Sequence, residues 1–368
     1  MIRVGLTNEI VSRLMSIERC QGRFGGMKLP LRLTNRLRKS SKKKSSYASV
    51  KIEGNPLTEE QASEAIDSSR RHYLKPEQEV RNYFKALEFL EERLAKKSAF
   101  DLDLILAVQA LVVKGESAEK TGLRGPMPPG VLFAVYDDKT GAADYIPPEA
   151  KDIRPLLEEL IEYVAKSNDH PVIKAAVVHY QLVTIHPFED GNGRTARLLS
   201  DYILDLNGYG FGQIGSLEEY FAYDIDEYYR SLQMGLPPLF YEGRDNPPHP
   251  EIWISYFLRM MELHARRVIE LASAPDATQA APSLSHLGRK ERAFLSYLVK
   301  HKVDRFAPVD LAKPFKVTNR TVINWCAALV KTGFLVPESG GERIRAYTVT
   351  EMAEAIYGTN CTTSGDLT

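Results

Sequence analysis

Cysteine is scarce: three in 368 residues, at Cys20, Cys326 and Cys361, with no Cys-x-x-Cys pair and no zinc-ligand spacing. An odd number of scattered thiols argues against a disulfide framework or structural metal and for a reducing, cytoplasmic setting. Net charge is lacking too. The 48 basic and 48 acidic side chains cancel, so overall charge favours neither a nucleic-acid nor a membrane partner. Apolar runs are short, such as that at 105–108, whereas a membrane span needs about 20 residues. The first residues, MIRVGLTNEIVSRL, have neither the apolar core nor the cleavage site of a secretory signal. What is there, 43% hydrophobic and 26% charged residues, is the make-up of a globular chain long enough for two or three domains.

Residues 22–52 hold ten Lys or Arg and no Asp or Glu, most densely at 36–44. Such a run ordinarily forms a solvated, mobile arm; a nucleic-acid patch is the other reading. A helix is expected through 46–52, stopping at Gly54-Asn55-Pro56. Thr58-Glu59-Glu60-Gln61 is a capping box for the next one. Val80, Phe84, Leu87, Leu90 and Leu94 recur at helical spacing, and 102–113 reads as a further buried helix. After a Gly/Pro-rich break at 122–130, residues 131–136 and 143–146 predict a hairpin, ended by Pro147-Pro148. Helices are expected again over 152–167, 171–185, 194–206, 217–234 and 250–271, that at 171–185 apolar on more than one face and so buried. The Ala/Ser/Pro-rich stretch 272–286 reads as a linker. Three short helices (289–301, 308–315, 318–332) and a hairpin (334–337 with 344–349) then give a winged-helix pattern, followed by a disordered tail. The expected fold is mainly α. The boundaries so drawn are 1–56, 57–271, 272–286, 287–350 and 351–368.

The most informative stretch is His-Pro-Phe-Glu-Asp-Gly-Asn-Gly-Arg-Thr-Ala-Arg, residues 186–197. Gly191 and Gly193 let the backbone turn and approach a ligand with no Cβ in the way. The amides that open the following helix make an anion site, to which the Asn192 side chain can add a donor. Arg194 and Arg197, three apart, share a helical face, and two guanidinium forks beside an amide nest suit a chain of phosphates. Asp190 at the entrance would repel phosphate unless a cation such as Mg²⁺ sits between. His186 is a base at neutral pH. The stretch lacks the Gly-Lys-Ser/Thr of a Walker loop, and Arg194 falls where a calcium loop needs an oxygen ligand. A merely structural turn is the remaining alternative.

His-x-Phe-x-Asp-Gly-Asn-Gly-Arg-x-x-Arg resembles the signature of Fic-domain proteins, with every defining position filled. The resemblance extends through Gly122-Leu123-Arg124, the hairpin and Tyr145-Ile146-Pro147-Pro148 upstream, and Asp226-Glu227-Tyr228-Tyr229 downstream, over roughly 57–271. It implies a helical bundle with a β-hairpin flap, and transfer of AMP from ATP, with Mg²⁺, to a Ser, Thr or Tyr hydroxyl of a target protein. His186 would then be the base, Asp190 the metal ligand, Gly191, Asn192 and Gly193 the anion hole, and Arg194 and Arg197 the phosphate clamps. Phe188 would anchor the loop in the core. The flap, with Tyr145 and Ile146, would hold the target segment by strand addition. Of Tyr228 and Tyr229, one would line the adenine site and the other pack in the core. Leu236-Pro237-Pro238 departs from relatives that carry a polar residue near the ribose.

Ser49-Val50-Lys51-Ile52-Glu53-Gly54 is similar to the family's inhibitory helix, Ser/Thr-x-x-x-Glu-Gly/Asn. In that scheme Glu53 pairs with Arg197 and takes its fork from the γ-phosphate, Ser49 and Gly54 marking the motif. The resemblance implies an autoinhibited adenylyltransferase. Alternatives with the same residues are AMP removal, another phosphate-group donor, or a DNA-binding regulator whose Fic domain senses nucleotide. The winged helix, with Asn319, Arg320 and Asn324 on a polar face, suits either DNA or a protein contact, a homodimer among them.

Overall fold

Eleven α-helices and two short strands among the described residues are built from residues 2–273, in the first of two units into which the chain divides, residues 1–273 and 274–368. The computed structural model describes residues 2–115, 120–136, 141, 143–273, 287–339, 344–350 and 353. In the first unit the order is α1 (Asn8–Gly25), α2 (Leu31–Ile52), α3 (Glu59–Asp67), α4 (Lys75–Ala95), α5 (Leu102–Val112), then a small hairpin, β1 (Val135–Tyr136) and β2 (Ala143–Tyr145). It continues with α6 (Ala150–Lys166), α7 (Pro171–Ile185), α8 (Asn192–Leu206), α9 (Glu218–Tyr223), α10 (Ile225–Gln233) and α11 (Glu251–Ser273). The apolar α7 is the centre. Its Val172, Ala175, Ala176, Val178 and Ile185 are fully buried, and it packs on α8, α6 and α11. Small residues let neighbours approach closely: the Trp253 indole of α11 donates to the Ala176 carbonyl at 2.8 Å.

The basic stretch is not a mobile arm. It forms the end of α1 and all of α2, which packs on α3, α4 and α9. Four of its nine buried residues are serines, so hydrophobic periodicity does not reveal it. Ser41, Ser45, Ser46 and Ser49 are buried, the Ser41 hydroxyl donating to the Leu37 carbonyl at 2.8 Å and that of Ser45 to the buried Glu218 at 2.9 Å. The lysines turn outward and find carboxylates on neighbouring elements, Lys42 with Glu91 at 2.9 Å, Lys43 with Asp67, and Lys44 with Glu219 at 3.4 Å. α2 ends in a turn closed by Gly54 (φ 83°), whose N–H donates to Lys51 while that of Asn55 donates to Val50, at 3.0 and 3.1 Å; such a left-handed C-terminal residue favours Gly.

Other expectations shift. The helix expected over 217–234 is two, α9 and α10, parted at Asp224 (φ −133°, ψ 86°), whose carboxylate accepts from the Glu227 N–H at 3.0 Å; a short acidic side chain competes with the helix for backbone donors. The strand expected at 131–136 is reduced to Val135–Tyr136. Helix α1 carried no prediction, yet it packs along α11. No helix among the described residues is long and apolar enough to cross a membrane.

The second unit contains α12 (Arg289–Lys300), β3 (Arg305–Phe306), α13 (Pro308–Ala312), α14 (Asn319–Lys331), β4 (Leu335–Ser339) and β5 (Ile344–Val349). The strands form an antiparallel sheet in the order β3-β5-β4. Phe294, Phe306, Trp325, Leu329 and Phe334 are buried at its core. β3, two residues long, offered no alternation to detect, and α13 stops at Ala312 short of the expected 315. The expected linker beyond residue 273 and the expected tail, except residue 353, lie outside the described residues.

Candidate functional site

Helix α7 ends where His186 takes the left-handed conformation (φ 49°, ψ 58°), its N–H donating to Leu182 at 3.1 Å. Five residues later Gly191 is again left-handed (φ 83°), and α8 begins at Asn192. A Cβ on Gly191 would meet Val113 at 3.0 Å and Val112 at 3.2 Å. Phe188 is fully buried, and its N–H and carbonyl are both held by the Asn192 amide, at 3.0 and 2.9 Å. The Asn192 side chain is therefore committed to stapling the loop, a correction to its expected part as a ligand donor. What Asn192 offers at the helix start is its backbone N–H, one of those a helix leaves without an internal partner.

Two buried residues outside the signature hold this loop. Gln109 of α5 donates to the Asp190 carbonyl at 3.1 Å and the Lys120 carbonyl at 2.7 Å. Arg124 donates to the His186 carbonyl at 2.8 Å and to Pro148, while its own N–H donates to Pro187 at 2.9 Å. Sequence reading placed Arg124 in the lead-in to the flap without a role and passed over Gln109. The one signal for Gln109 was a lone amide in the apolar run LDLILAVQALV.

The two arginines of the signature differ. Arg194, 5% exposed, gives one nitrogen to Asp190 at 2.8 Å, and its Nε and second terminal nitrogen have no hydrogen-bond partner among the described residues. Unpaired donors on a buried cation are costly unless a ligand meets them. Arg197, 1% exposed, is by contrast saturated. Its Nε donates to the Ser49 hydroxyl at 2.7 Å, one terminal nitrogen to the Ser49 carbonyl at 3.1 Å and to Glu53 at 2.5 Å, and the other to Tyr228 at 3.4 Å. Burial alone would lower its pKa, but Glu53 and the two tyrosines around it raise it above the ordinary value. The Glu53 carboxylate also lies over Gly193, where a Cβ would stand 2.5 Å from its oxygen. It thus faces the N-terminal turn of α8 as well as Arg197.

Asp190 accepts from the Gly191 N–H at 2.5 Å and sits 3.3 Å from the Lys120 ammonium. Among the described residues no cluster of three or more His, Cys, Asp or Glu could hold a metal. A divalent cation here would rest on this single carboxylate and oxygens brought by a ligand, which is how Mg²⁺ is commonly held beside phosphates. The half-buried His186 has its pKa lowered to about 4, first by burial and then by Arg124, so its imidazole is neutral at neutral pH. Nδ1 lies 3.3 Å from the Val183 carbonyl; a proton placed there leaves Nε2 as the acceptor.

Glu53, Tyr145, His186, Asn192, Gly193, Arg197, Tyr228 and Tyr229 line one cleft. Asp190, Gly191 and Arg194 lie beside it on the motif loop, and Ser49, Gly54 and Ile146 are outside its wall. Tyr228 is buried, its hydroxyl 2.8 Å from the buried His179 of α7. Tyr229 is 40% exposed and donates to the Ile52 carbonyl at 3.3 Å. The Tyr145 hydroxyl is anchored on the Thr184 carbonyl. Ile146 corrects the flap reading: its N–H and carbonyl already pair with Pro238 and Phe240, at 3.0 and 2.9 Å.

Residues 99–204 match the profile of the Fic/DOC family. A 170-residue stretch is 29% identical to a protein from Nematostella vectensis named protein adenylyltransferase Fic, covering 44% of this chain and 37% of that protein. The chain thus matches about a third of the length of its curated relatives. The crystal structure of a Fic family protein from Desulfovibrio desulfuricans aligns over 95% of this chain and 98% of its own, with a TM-score of 0.59 at 22% identity. Fic-1 of C. elegans aligns over 71% and 72%, with a TM-score of 0.56 at 24% identity. These likenesses establish a shared fold.

Proposed function

We propose, from the match of residues 99–204 to the Fic/DOC family profile, that this chain transfers AMP from ATP to a hydroxyl of a protein. The observation that carries the reading is the buried Arg194, with two donors unpartnered among the described residues, beside the N-terminal turn of α8 and in the loop that also presents a neutral His186. Phosphate oxygens meet that set of donors, and few other ligands do. The acceptor hydroxyl oxygen attacks the α-phosphorus, the bond to pyrophosphate breaks, and the hydroxyl proton passes to His186 Nε2. Arg194 and the amides of Asn192 and Gly193 hold the phosphate chain; the Gly191 N–H is taken by Asp190, a correction to its expected part in the anion hole. The left-handed turn at His186 and the tie from Arg124 to its carbonyl fix the imidazole's place. Mg²⁺ bound at Asp190 would neutralise phosphate charge. Tyr229 and the flap, with Tyr145, frame the nucleoside end, and Tyr228 serves chiefly as a core prop for Arg197.

On this reading Glu53 is an inhibitor built into α2. It occupies Arg197 and the ground above Gly193 that the terminal phosphates need, and Ser49 and Gly54 aim it there. The test is incubation with α-labelled ATP, Mg²⁺ and candidate protein acceptors, comparing the natural chain, Glu53→Gly and Glu53→Gly/His186→Ala. Labelling should rise with the first substitution and vanish with the second. If Glu53→Gly labels no more than the double variant, the transferase reading fails.

A further inference from the structure

The second unit carries a surface that the phosphate site does not use. Residues 311–337 contain four Lys or Arg and no Asp or Glu. The helix within this stretch, α14, is sharply two-sided. Val322, Trp325, Cys326 and Leu329 are buried in the unit's core, while Asn319, Arg320, Ile323, Asn324, Ala327 and Lys331 are exposed along the opposite face. α13 packs against it, and the turn between the two exposes Lys313 and Lys316. Thr318 caps α14, its hydroxyl accepting from the Thr321 N–H at 3.2 Å. The β4–β5 hairpin adds the exposed Arg345.

Two described carboxylates of this unit are engaged away from α14. Glu338 is paired with Arg305 at 2.8 Å, and Asp310 accepts from the Ala307 N–H at the start of α13 at 3.3 Å. Lys313, Lys316, Arg320 and Lys331 have no ion-pair partner among the described residues. We infer that this face binds duplex DNA, with α14 laid in the major groove. Two helices joined by a short turn, the second exposed and ending a basic turn, have the geometry that places a helix in that groove, which is about 12 Å wide. Arg320 and Asn324, one turn apart, reach base edges, a guanidinium suiting guanine and an amide adenine. Ile323 between them, 41% exposed, meets thymine methyls, and Ala327 lets the helix approach. Lys313, Lys316, Lys331 and Arg345 hold phosphates on either side. A protein-docking face would instead centre on clustered large apolar side chains; Ile323 is the one large apolar side chain exposed on α14, the exposed Val309, Val336 and Ile344 lying on other elements of the unit.

The experiment is selection with the full chain from a pool of duplexes with a randomised core, followed by titration of the enriched duplex across salt. Binding at physiological salt and convergence on a sequence are expected. Four phosphate contacts give a slope of log K against log salt of about −3.6, and Lys313→Gln/Lys316→Gln/Lys331→Gln reduces it to about −0.9. Arg320→Ala weakens the enriched duplex about tenfold or more while leaving binding to the starting pool nearly as it was. Should Arg320→Ala disturb folding, as a melt would show, Asn324→Ala serves the same comparison. Three outcomes overturn the inference: no convergence with binding lost at modest salt, binding indifferent to these substitutions, or self-association that Arg320→Ala abolishes, which would make the face a contact between copies.

Discussion

Replacing Glu53 by Gln removes one charge and keeps the shape. Its carboxylate oxygen lies 2.5 Å from the Arg197 nitrogen, and its side chain is 35% exposed. A hydrogen bond to a charged group contributes about 1.5–3 kcal/mol; with a third of the carboxylate in water, roughly 1–1.5 kcal/mol is the fair figure. Arg197 is not orphaned by the change, because both Ser49 bonds remain. A loss of that size lowers the melting temperature of a unit this large by about 2–3 °C. Nucleotide should close the gap. In the natural chain phosphate must displace the carboxylate from Arg197 and from above Gly193, so the same energy separates the two affinities, about five- to tenfold in Kd. Thermal melts of both proteins over a series of ATP–Mg²⁺ concentrations measure this directly. Glu53→Gln should melt lower without nucleotide and gain more with each increment. A lower melting temperature with a Kd within twofold of the natural chain would refute the reasoning, since Glu53 would then stabilise α2 without standing in the path of phosphate.

Acid should destabilise the first unit in a defined window. His264 is fully buried and its pKa is lowered to about 4, first by burial; His179 shifts in the same direction for the same first cause. The unfolded chain takes up these protons below about pH 6.5 and the folded chain refuses them, in the case of His264 until near 4, so stability is full above the window and falls across it. For His264 the loss reaches about 3 kcal/mol, read as a falling urea midpoint between pH 7 and pH 4.5 that His264→Gln should flatten. Gly191→Ala should cost about 1–3 kcal/mol through its left-handed backbone and its crowding against Val113, seen as a lower urea midpoint at unchanged slope. Asn192→Ala strips the Phe188 N–H and carbonyl of their partner and should cost a further 1–3 kcal/mol or so. Nucleotide binding should weaken with it as the loop loosens; a variant as stable as the parent would show that the staple is dispensable.

The long periodic helices were legible, and α7 was placed to the residue at both ends because a proline opens it and a histidine–proline pair closes it. Even the Glu53–Arg197 contact, across 144 positions, followed from matching two short motifs. What escaped notice did so for physical reasons. Helix α2 hides its inward face in serines, which satisfy themselves on their own backbone and on Glu218. The chain between α9 and α10 breaks at one aspartate, a conformation no periodicity forecasts. Gln109 and Arg124 act through carbonyls, and a backbone partner leaves no trace in the order of side chains. The commitment of Asn192 to Phe188 is of the same kind: spacing shows that an amide is near the ligand and not which way it is already spent.

The serines of α2 have one more consequence. Arg197 is fastened to Ser49 by two bonds that do not involve Glu53, and α2 is pinned along its length by Ser45, Lys42 and Lys44. Opening the site therefore asks nothing of the helix. It asks one carboxylate at the helix end to swing aside, a motion that exposed side chains complete in nanoseconds or less. On the proposed reading, control of this chain would be a contest for a seat rather than a change of shape. Its output would be graded, set from moment to moment by whichever anion holds Arg197.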